Sequence, residues 1–278
     1  MVRRIVMTFR QAGVFPIVVV SEGGDKELRR QLAGLGVIFL RIGADADLFG
    51  FAKAGLSFLA GKCEKAVFSP VNVPAFTSAT LGALMRTPAA VACPSLEGRS
   101  GHPVVIAREA MDEVLSYHGP DGLRGALATL GDRRAWVSVG DRGVVTSVRD
   151  EQDLLSLVPQ HNCALIHPAI HLELEGETPF LDDRCKLLLY LIDGTHNIRV
   201  CCELTATSYS KAWGMINHLE DVLGYAVVER HHGGRDGGGT LLTERGRQLL
   251  GAYLELECAV RERAQAEFDR LFVRTGLL

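Results

Sequence analysis

The chain has 278 residues, about twice a common domain length, and is 47% apolar and 23% charged, a balance that excludes disordered and fibrous chains. Lys and Arg number 30 against 33 Asp and Glu, a net charge of -3 that signals no polyanion binder by itself. The apolar run Val14 to Val20 contains Pro16 and falls far short of the roughly 18 to 20 residues of a membrane span, while Arg10 is incompatible with a secretory core.

The seven cysteines, at positions 63, 93, 163, 185, 201, 202 and 258, are odd in number and show no Cys-x-x-Cys spacing. They point to a reducing cytoplasm and to neither a zinc site nor a disulfide framework. From Arg3 to about Val158, short β-branched runs alternate with amphipathic stretches, the rhythm of strand-helix-strand units around a largely parallel sheet. Strands are expected at Val14 to Val20, Gly36 to Arg41, Ala66 to Ser69, Ala89 to Cys93, Val104 to Ile106 and Ala135 to Val139. Helices are expected at Asp25 to Leu35, Asp45 to Gly61, Thr77 to Met85, Arg108 to Tyr117 and Gly122 to Leu130. The first domain is thus read as α/β over residues 1–158.

Pro159, Pro168 and scattered polar residues mark a linker over 159–179, with room for one strand at His171 to Leu174. His161, His167 and His171 share no helical phase and Pro168 interrupts them, so a structural role outweighs a metal site. From Pro179 the β-branched runs nearly stop, and a second domain over 180–278 is read as helical with one hairpin.

Leu181, Cys185, Leu188, Leu189 and Ile192 share a helical face that Gly194 would end, and Asn197 can cap a short second helix through Leu204. A turn at Thr205 to Thr207 leads to Ser208, a good cap for a third helix, so the pair reads as a helix-turn-helix. At 100° per residue, Tyr209, Ala212, Trp213, Ile216, Leu219 and Leu223 fall in one sector of about 120° and are expected to be buried. Ser210, Lys211, Gly214, Asn217 and His218 lie opposite, a short and donor-rich set able to reach base edges and phosphates; its bland alternative is a solvated face.

Ala226 to Arg230 and Thr240 to Thr243 read as two strands around His231 to Gly239, a loop with five glycines in nine residues. Such a loop can approach a phosphate backbone closely, as a wing, with Arg230 and Arg235 as its charges. The rival, a phosphate-cradling enzyme loop, lacks the Gly-Lys-Ser/Thr signature. After it Thr243 can cap a helix to about Arg274, along which Leu249, Leu250, Tyr253, Leu254, Leu256, Val260, Phe268, Leu271 and Phe272 form a stripe suited to pairing with a second copy.

Ser208-Tyr209-Ser210-Lys211-Ala212-Trp213, Leu219-Glu220, Leu223-Gly224 and the pattern Gly233-Gly234-x-x-Gly237-Gly238-Gly239-x-x-Leu242-Thr243-x-x-Gly246 together resemble the winged helix-turn-helix of ModE-type molybdate-responsive regulators, relatives of the LysR-type domain. The resemblance implies a recognition helix from Ser208, with Ser208, Ser210, Lys211, Gly214, Asn217 and His218 at DNA, a wing carrying Arg230 and Arg235, and a dimerisation helix from Thr243. It ends with the long helix; no molybdate-binding β-barrel sequence follows. Between Thr195 and Gly251 six bases face six acids, so modest non-specific affinity is expected where a basic domain would be usual.

Val67-Phe68-Ser69-Pro70-Val71-Asn72-Val73-Pro74, the loop Pro94 to Gly101 running into His102-Pro103, and Gly122-Leu123-Arg124 resemble the MobA-like nucleotidyltransferases of molybdenum-cofactor maturation over about residues 10–158. That resemblance implies a Rossmann-like sheet, a glycine-rich phosphate loop, and two aspartates that hold magnesium. The sequence departs at each point. Met1 to Gln11 contains no glycine and stands where the family has its second structural unit; Asn72 replaces the first aspartate; Ser147 and Arg149 stand at the second acidic motif. A neutral amide suits a hard divalent cation poorly, and phosphoryl transfer depends on charge neutralisation.

The leading expectation is therefore a dimeric, cytoplasmic transcriptional regulator that binds double-stranded DNA, needs no cofactor and has no membrane contact. Its first domain would be a pseudoenzyme sensor with Asn72, Gly101 and His102 in a candidate ligand pocket for a nucleotide, molybdate or a pterin cofactor. The alternatives are an active molybdenum-cofactor cytidylyl- or guanylyltransferase with a regulatory tail, and a winged helix that binds protein.

Overall fold

A computed structural model describes residues 1–23, 26–150, 152–153, 155, 166–231 and 239–277. It divides into two compact units, one comprising Met1–Asp25 with Leu40–Ile166, the other Lys26–Phe39 with His167–Leu278.

The first unit opens with a helix, α1 (Val2–Gln11), in a stretch for which no helix is expected from β-branched rhythm; it buries Ile5, Val6, Thr8 and Phe9 on one face. Strand β1 (Ile17–Ser21) begins after Pro16, three residues later than expected, since proline has no N–H to donate to a ladder. Helix α3 (Leu48–Leu59) is started by Asp47, whose side chain accepts from the Gly50 N–H at 2.7 Å. Strand β3 (Lys65–Phe68), helix α4 (Ser78–Arg86), strands β4 (Val91–Leu96), β5 (Arg99–Ser100) and β6 (Val104–Ala107), helices α5 (Arg108–Ser116) and α6 (Gly122–Ala128), and strand β7 (Arg134–Ser138) follow. The second unit takes α2 (Lys26–Gln31) and the first residues of β2 (Val37–Arg41).

The sheet is mixed, which corrects the largely parallel expectation. β6 lies between β3 and β4 and runs antiparallel to both, while β7 pairs with β4 in parallel. The physical cause is the short connection between β4 and β6: the two-residue turn Glu97-Gly98, with φ of 51° and 79°, reverses the chain into β5, the geometry of a primed hairpin turn. No crossover helix intervenes, so β6 cannot return parallel. One core is formed where Val91, Cys93, Val104 and Ile106 of the sheet meet Ala52 and Leu56 of α3, Met111 and Val114 of α5, and Leu127 of α6.

In the second unit a short hairpin, β8 (Leu174–Glu175) with β9 (Pro179–Leu181), stands at the end of the stretch expected to hold one strand. Four capped helices follow. Asp182 caps α7 (Asp183–Thr195), accepting from Arg184 and Cys185 N–H at 3.0 and 2.9 Å. Asn197 caps α8 (Ile198–Thr205), Ser208 caps α9 (Tyr209–Leu223), and Thr243 caps α10 (Glu244–Phe268), which continues as a π-turn over Asp269–Val273. Between the last two helices β10 (Val228–Arg230) pairs antiparallel with β11 (Thr240–Leu242), Val228 opposite Leu242. Gly194 does not end α7. The helix runs one residue further and His196 takes the left-handed position, φ 55°, its N–H bonded to Ile192 O at 2.9 Å.

The core of this unit joins Leu188, Leu189 and Ile192 of α7, Cys201 of α8, Ala212, Ile216 and Leu219 of α9, Leu242 of β11, and Leu250 and Tyr253 of α10. Tyr209, expected inside, is 48% exposed, because it occupies the first helical position, at the edge of the buried sector.

Candidate functional site

In the first unit the loop after β3 and the segment 141–148 are stitched together. Asn72 Nδ2 donates to Ser147 Oγ at 2.9 Å, and Val148 N donates to Asn72 O at 2.7 Å. The two positions aligned by resemblance with metal carboxylates are thus adjacent in space, but they hold an amide and a hydroxyl bonded to each other. Arg149 adjoins them in the chain. Such a donor set fits magnesium poorly, since protein sites for it are usually built on one or two carboxylates. Among the described residues no group of three or more His, Cys, Asp or Glu side chains is placed to hold a metal ion.

Gly101 and His102 pack against the segment 141–148. A side chain at Gly101 would bring its Cβ within 2.2 Å of Val144 O, so the glycine serves close chain packing; His102 N donates to that carbonyl at 2.8 Å. The imidazole stands edge-on to Phe68, ring centres 5.9 Å apart, and its Nδ1 is buried without a hydrogen-bond partner among the described residues. Burial pushes the His102 pKa down from 6.5 to about 4. The ring is therefore neutral at pH 7. Between the unfolded value near 6.5 and the folded value near 4, the unfolded chain binds the extra proton, so stability falls as pH falls through this window, by up to about 1.4 kcal/mol per pH unit. His102→Phe is expected to remove that component, as read from denaturation midpoints at pH 7 and pH 5.

In the second unit α9 presents a polar face. Ser208, Ser210, Lys211, Gly214 and Asn217 are exposed while Ala212, Ile216 and Leu219 are fully buried. Ser208 is partly occupied as the cap, its Oγ accepting from Lys211 N at 3.3 Å. His218 is half-buried, with Nε2 3.2 Å from Thr178 Oγ1 and 3.0 Å from Pro179 O, so it ties α9 to the β8–β9 hairpin. Arg235 and most of the glycine loop, residues 232–238, lie outside the described residues.

Arg230 and Asn217, thirteen residues apart in sequence, are brought into contact. Arg230 Nη2 donates to Asn217 Oδ1 at 2.7 Å and to Glu220 Oε2 at 2.9 Å, while the guanidinium lies over the Trp213 ring, 4.5 Å from its centroid. Trp213 meets Tyr209 edge-on, 6.2 Å between centres, and Arg199 stands 5.7 Å from the Tyr209 ring. Glu220, Trp213 and Tyr209 are absent from the set expected at the surface. Their spacing near Asn217 at helical steps of three and four is the signal that placed them on one flank, but apolar periodicity assigned Tyr209 and Trp213 to the core.

Residues 1–135 match the family described as the MobA-like NTP transferase domain, and the first unit has the nucleotidyltransferase-like α/β fold. The C-terminal part is similar to the molybdenum transport protein ModE of Azotobacter vinelandii, 31% identical over 105 residues, 38% of each chain. It is also similar to the transcriptional regulator ModE of Yersinia pestis, 36% identical over 92 residues, 33% of this chain and 34% of that one. The molybdenum-pterin-binding protein MopB of Rhodobacter capsulatus is 34% identical over 73 residues, 26% of this chain and 27% of that one. The chain therefore spans little more than a third, at most, of the curated relatives it matches. Among solved structures, the rv0371c homologue of Mycobacterium sp. strain JC1 superposes with a TM-score of 0.46 at 16% identity, covering 58% of this chain and 82% of that one. The match of residues 1–135 to the MobA-like NTP transferase domain and the similarity of the C-terminal part to the ModE and MopB proteins are consistent with a fusion of the two.

Proposed function

We propose that the chain is a DNA-binding transcriptional regulator linked to molybdenum metabolism, whose C-terminal part acts as a winged helix-turn-helix on duplex DNA. The observation that carries this reading is the α9 face, where Ser210, Lys211, Gly214 and Asn217 are exposed directly opposite a fully buried Ala212-Ile216-Leu219 stripe. A helix so divided can enter a major groove while its back remains anchored in the core. α8 and α9 supply the helix-turn-helix, β10 and β11 the wing, and α10 the dimer helix. Leu256, Leu271, Phe272 and Val273 are 42, 45, 41 and 50% exposed along α10 and its π-turn, apolar area that a second copy would bury. In this reading the domains divide at 1–158 and 180–278 about the 159–179 linker. The first senses a small molecule near Asn72 and His102, and the protein acts in the cytoplasm. No helix among the described residues is long and apolar enough to cross a membrane.

Retardation of a duplex from its own upstream region at low salt tests this directly. Lys211→Ala with Arg235→Ala is expected to reduce the slope of log affinity against log salt by about two units, one for each lost phosphate contact. An unchanged slope would favour a winged helix that binds protein.

The family match of residues 1–135 favours a second reading, an active cytidylyl- or guanylyltransferase with a regulatory tail. The Asn72–Ser147 hydrogen bond speaks against it. Pyrophosphate released from CTP or GTP with magnesium and molybdopterin would establish that reading.

A further inference from the structure

We infer that Glu220 is a positioning residue that sets sequence discrimination, by withholding Arg230 from phosphates and fixing it, with Asn217, as one rigid group beside the exposed face of α9. The inference rests on the DNA-binding reading above.

The two oxygens of Glu220 do separate things. Oε1 accepts from Val227 N at 2.8 Å and Val228 N at 3.1 Å, anchoring the start of the β10–β11 hairpin to α9. Oε2 accepts from Arg230 Nη2 at 2.9 Å. With Asn217 Oδ1 taking the other Nη2 hydrogen and the Trp213 face beneath, the guanidinium is held on three sides. Its side chain is nevertheless 45% exposed, and among the described residues Nε and Nη1 have no hydrogen-bond partner. A charge held this way faces a neighbouring carboxylate that offsets its pull on a phosphate, while its remaining N–H groups keep a fixed direction. Fixed donors beside a recognition helix discriminate base edges; mobile cations neutralise phosphates.

The charge balance agrees. Arg247 is bound to Asp193 at 2.9 Å, so that, of the described Lys and Arg between Thr195 and Gly251, Arg199, Lys211 and Arg245 are the exposed ones with no acidic partner among the described residues, and Arg199 and Arg245 each lie over a tyrosine ring. A surface with few available cations favours correct sequence over indiscriminate grip.

The test is Glu220→Gln in the full chain. Glutamine keeps a carbonyl for the Val227 and Val228 N–H groups but turns an NH2 toward Arg230, which is thereby released. Two probes are used: a random-sequence duplex of about thirty base pairs, and the duplex that the wild-type protein selects from a randomised library. The variant is expected to bind the random duplex on the order of threefold to tenfold more tightly near 50 mM KCl, with a salt slope steeper by about one unit, and to prefer the selected duplex less. Adding Arg230→Ala should abolish that gain. Arg230→Gln alone should leave random-duplex affinity and slope unchanged while reducing the preference, and it serves if Glu220→Gln does not fold. The inference is overturned if Glu220→Gln, folded by circular dichroism, weakens both duplexes equally, or if Arg230→Gln alone lowers the random-duplex slope by one. Selection of no duplex by a wild-type protein that also ignores the random one overturns the DNA-binding reading itself.

Discussion

Glu257→Leu is expected to lower the unfolding free energy of the second unit by about 3 kcal/mol. Lys186 and Glu257 are 5% and 7% exposed, and Lys186 Nζ lies 2.8 and 3.0 Å from the two Glu257 oxygens. Asp183 Oδ1 is 2.8 Å from the same nitrogen and Arg261 Nη2 is 3.0 Å from Glu257 Oε1, so the cluster clamps α7 to α10. Each partner keeps a second one: after Glu257→Leu the ammonium keeps Asp183, and after Lys186→Met the carboxylate keeps Arg261, at 28% side-chain exposure. The two single substitutions should therefore cost similar amounts, and the double substitution should recover most of the loss, because two well-packed apolar side chains replace a pair whose desolvation cost largely offsets its attraction. The chain has two tryptophans, one in each unit; in a Trp136→Phe background, urea unfolding followed by fluorescence reports Trp213 and hence this unit. A midpoint unmoved by Glu257→Leu would show that the pair is not buried.

Asp141→Ala should be the corresponding blow to the first unit, costing about 3 kcal/mol or more. Oδ2 accepts from Thr77 N at 2.8 Å, Thr77 Oγ1 at 3.0 Å and Thr80 Oγ1 at 2.8 Å, and Oδ1 accepts from Gly143 N at 2.9 Å. Each bond to a charged acceptor contributes about 1.5–3 kcal/mol without being additive, and the donors left behind are partly buried. The same carboxylate aligns the start of α4 with the segment that carries Ser147, so the Asn72–Ser147 contact should loosen as well. Gly143 stands within this turn because a Cβ there would fall 1.7 Å from Ala75 O. In a Trp213→Phe background, the Trp136 transition should shift to lower urea for Asp141→Ala, and Asp141→Asn should recover part of the loss by keeping one acceptor oxygen.

Most elements of both units were legible because they are written in local chemistry. Ser208, Asn197 and Thr243 announce helix starts through side chains that accept the first unpaired N–H groups. The alternation of β-branched and amphipathic runs announced the strands of the first unit, and the glycine-rich stretch announced the β10–β11 hairpin. The helix α1 was not legible, since its stabilisation comes from the core that its Ile5 and Phe9 enter. Nor was the antiparallel return of β6, which depends on a two-residue turn.

The candidate sites divide in the same way. Residue identity, read beside the MobA-like resemblance, gave the expectation that Asn72 and Ser147 or Arg149 stand where that resemblance implies metal carboxylates, and residue identity alone showed that the face of α9 opposite its apolar stripe is polar. Only the tertiary structure decided that Asn72 and Ser147 meet, that His218 is bound to Thr178 and Pro179 of the β8–β9 hairpin, and that Arg230 comes to rest on Trp213 between Asn217 and Glu220. Periodicity is a property of one helix or strand and can be counted along the chain. A pairing between residues far apart depends on how separate elements close over a shared core, and no local count contains that distance.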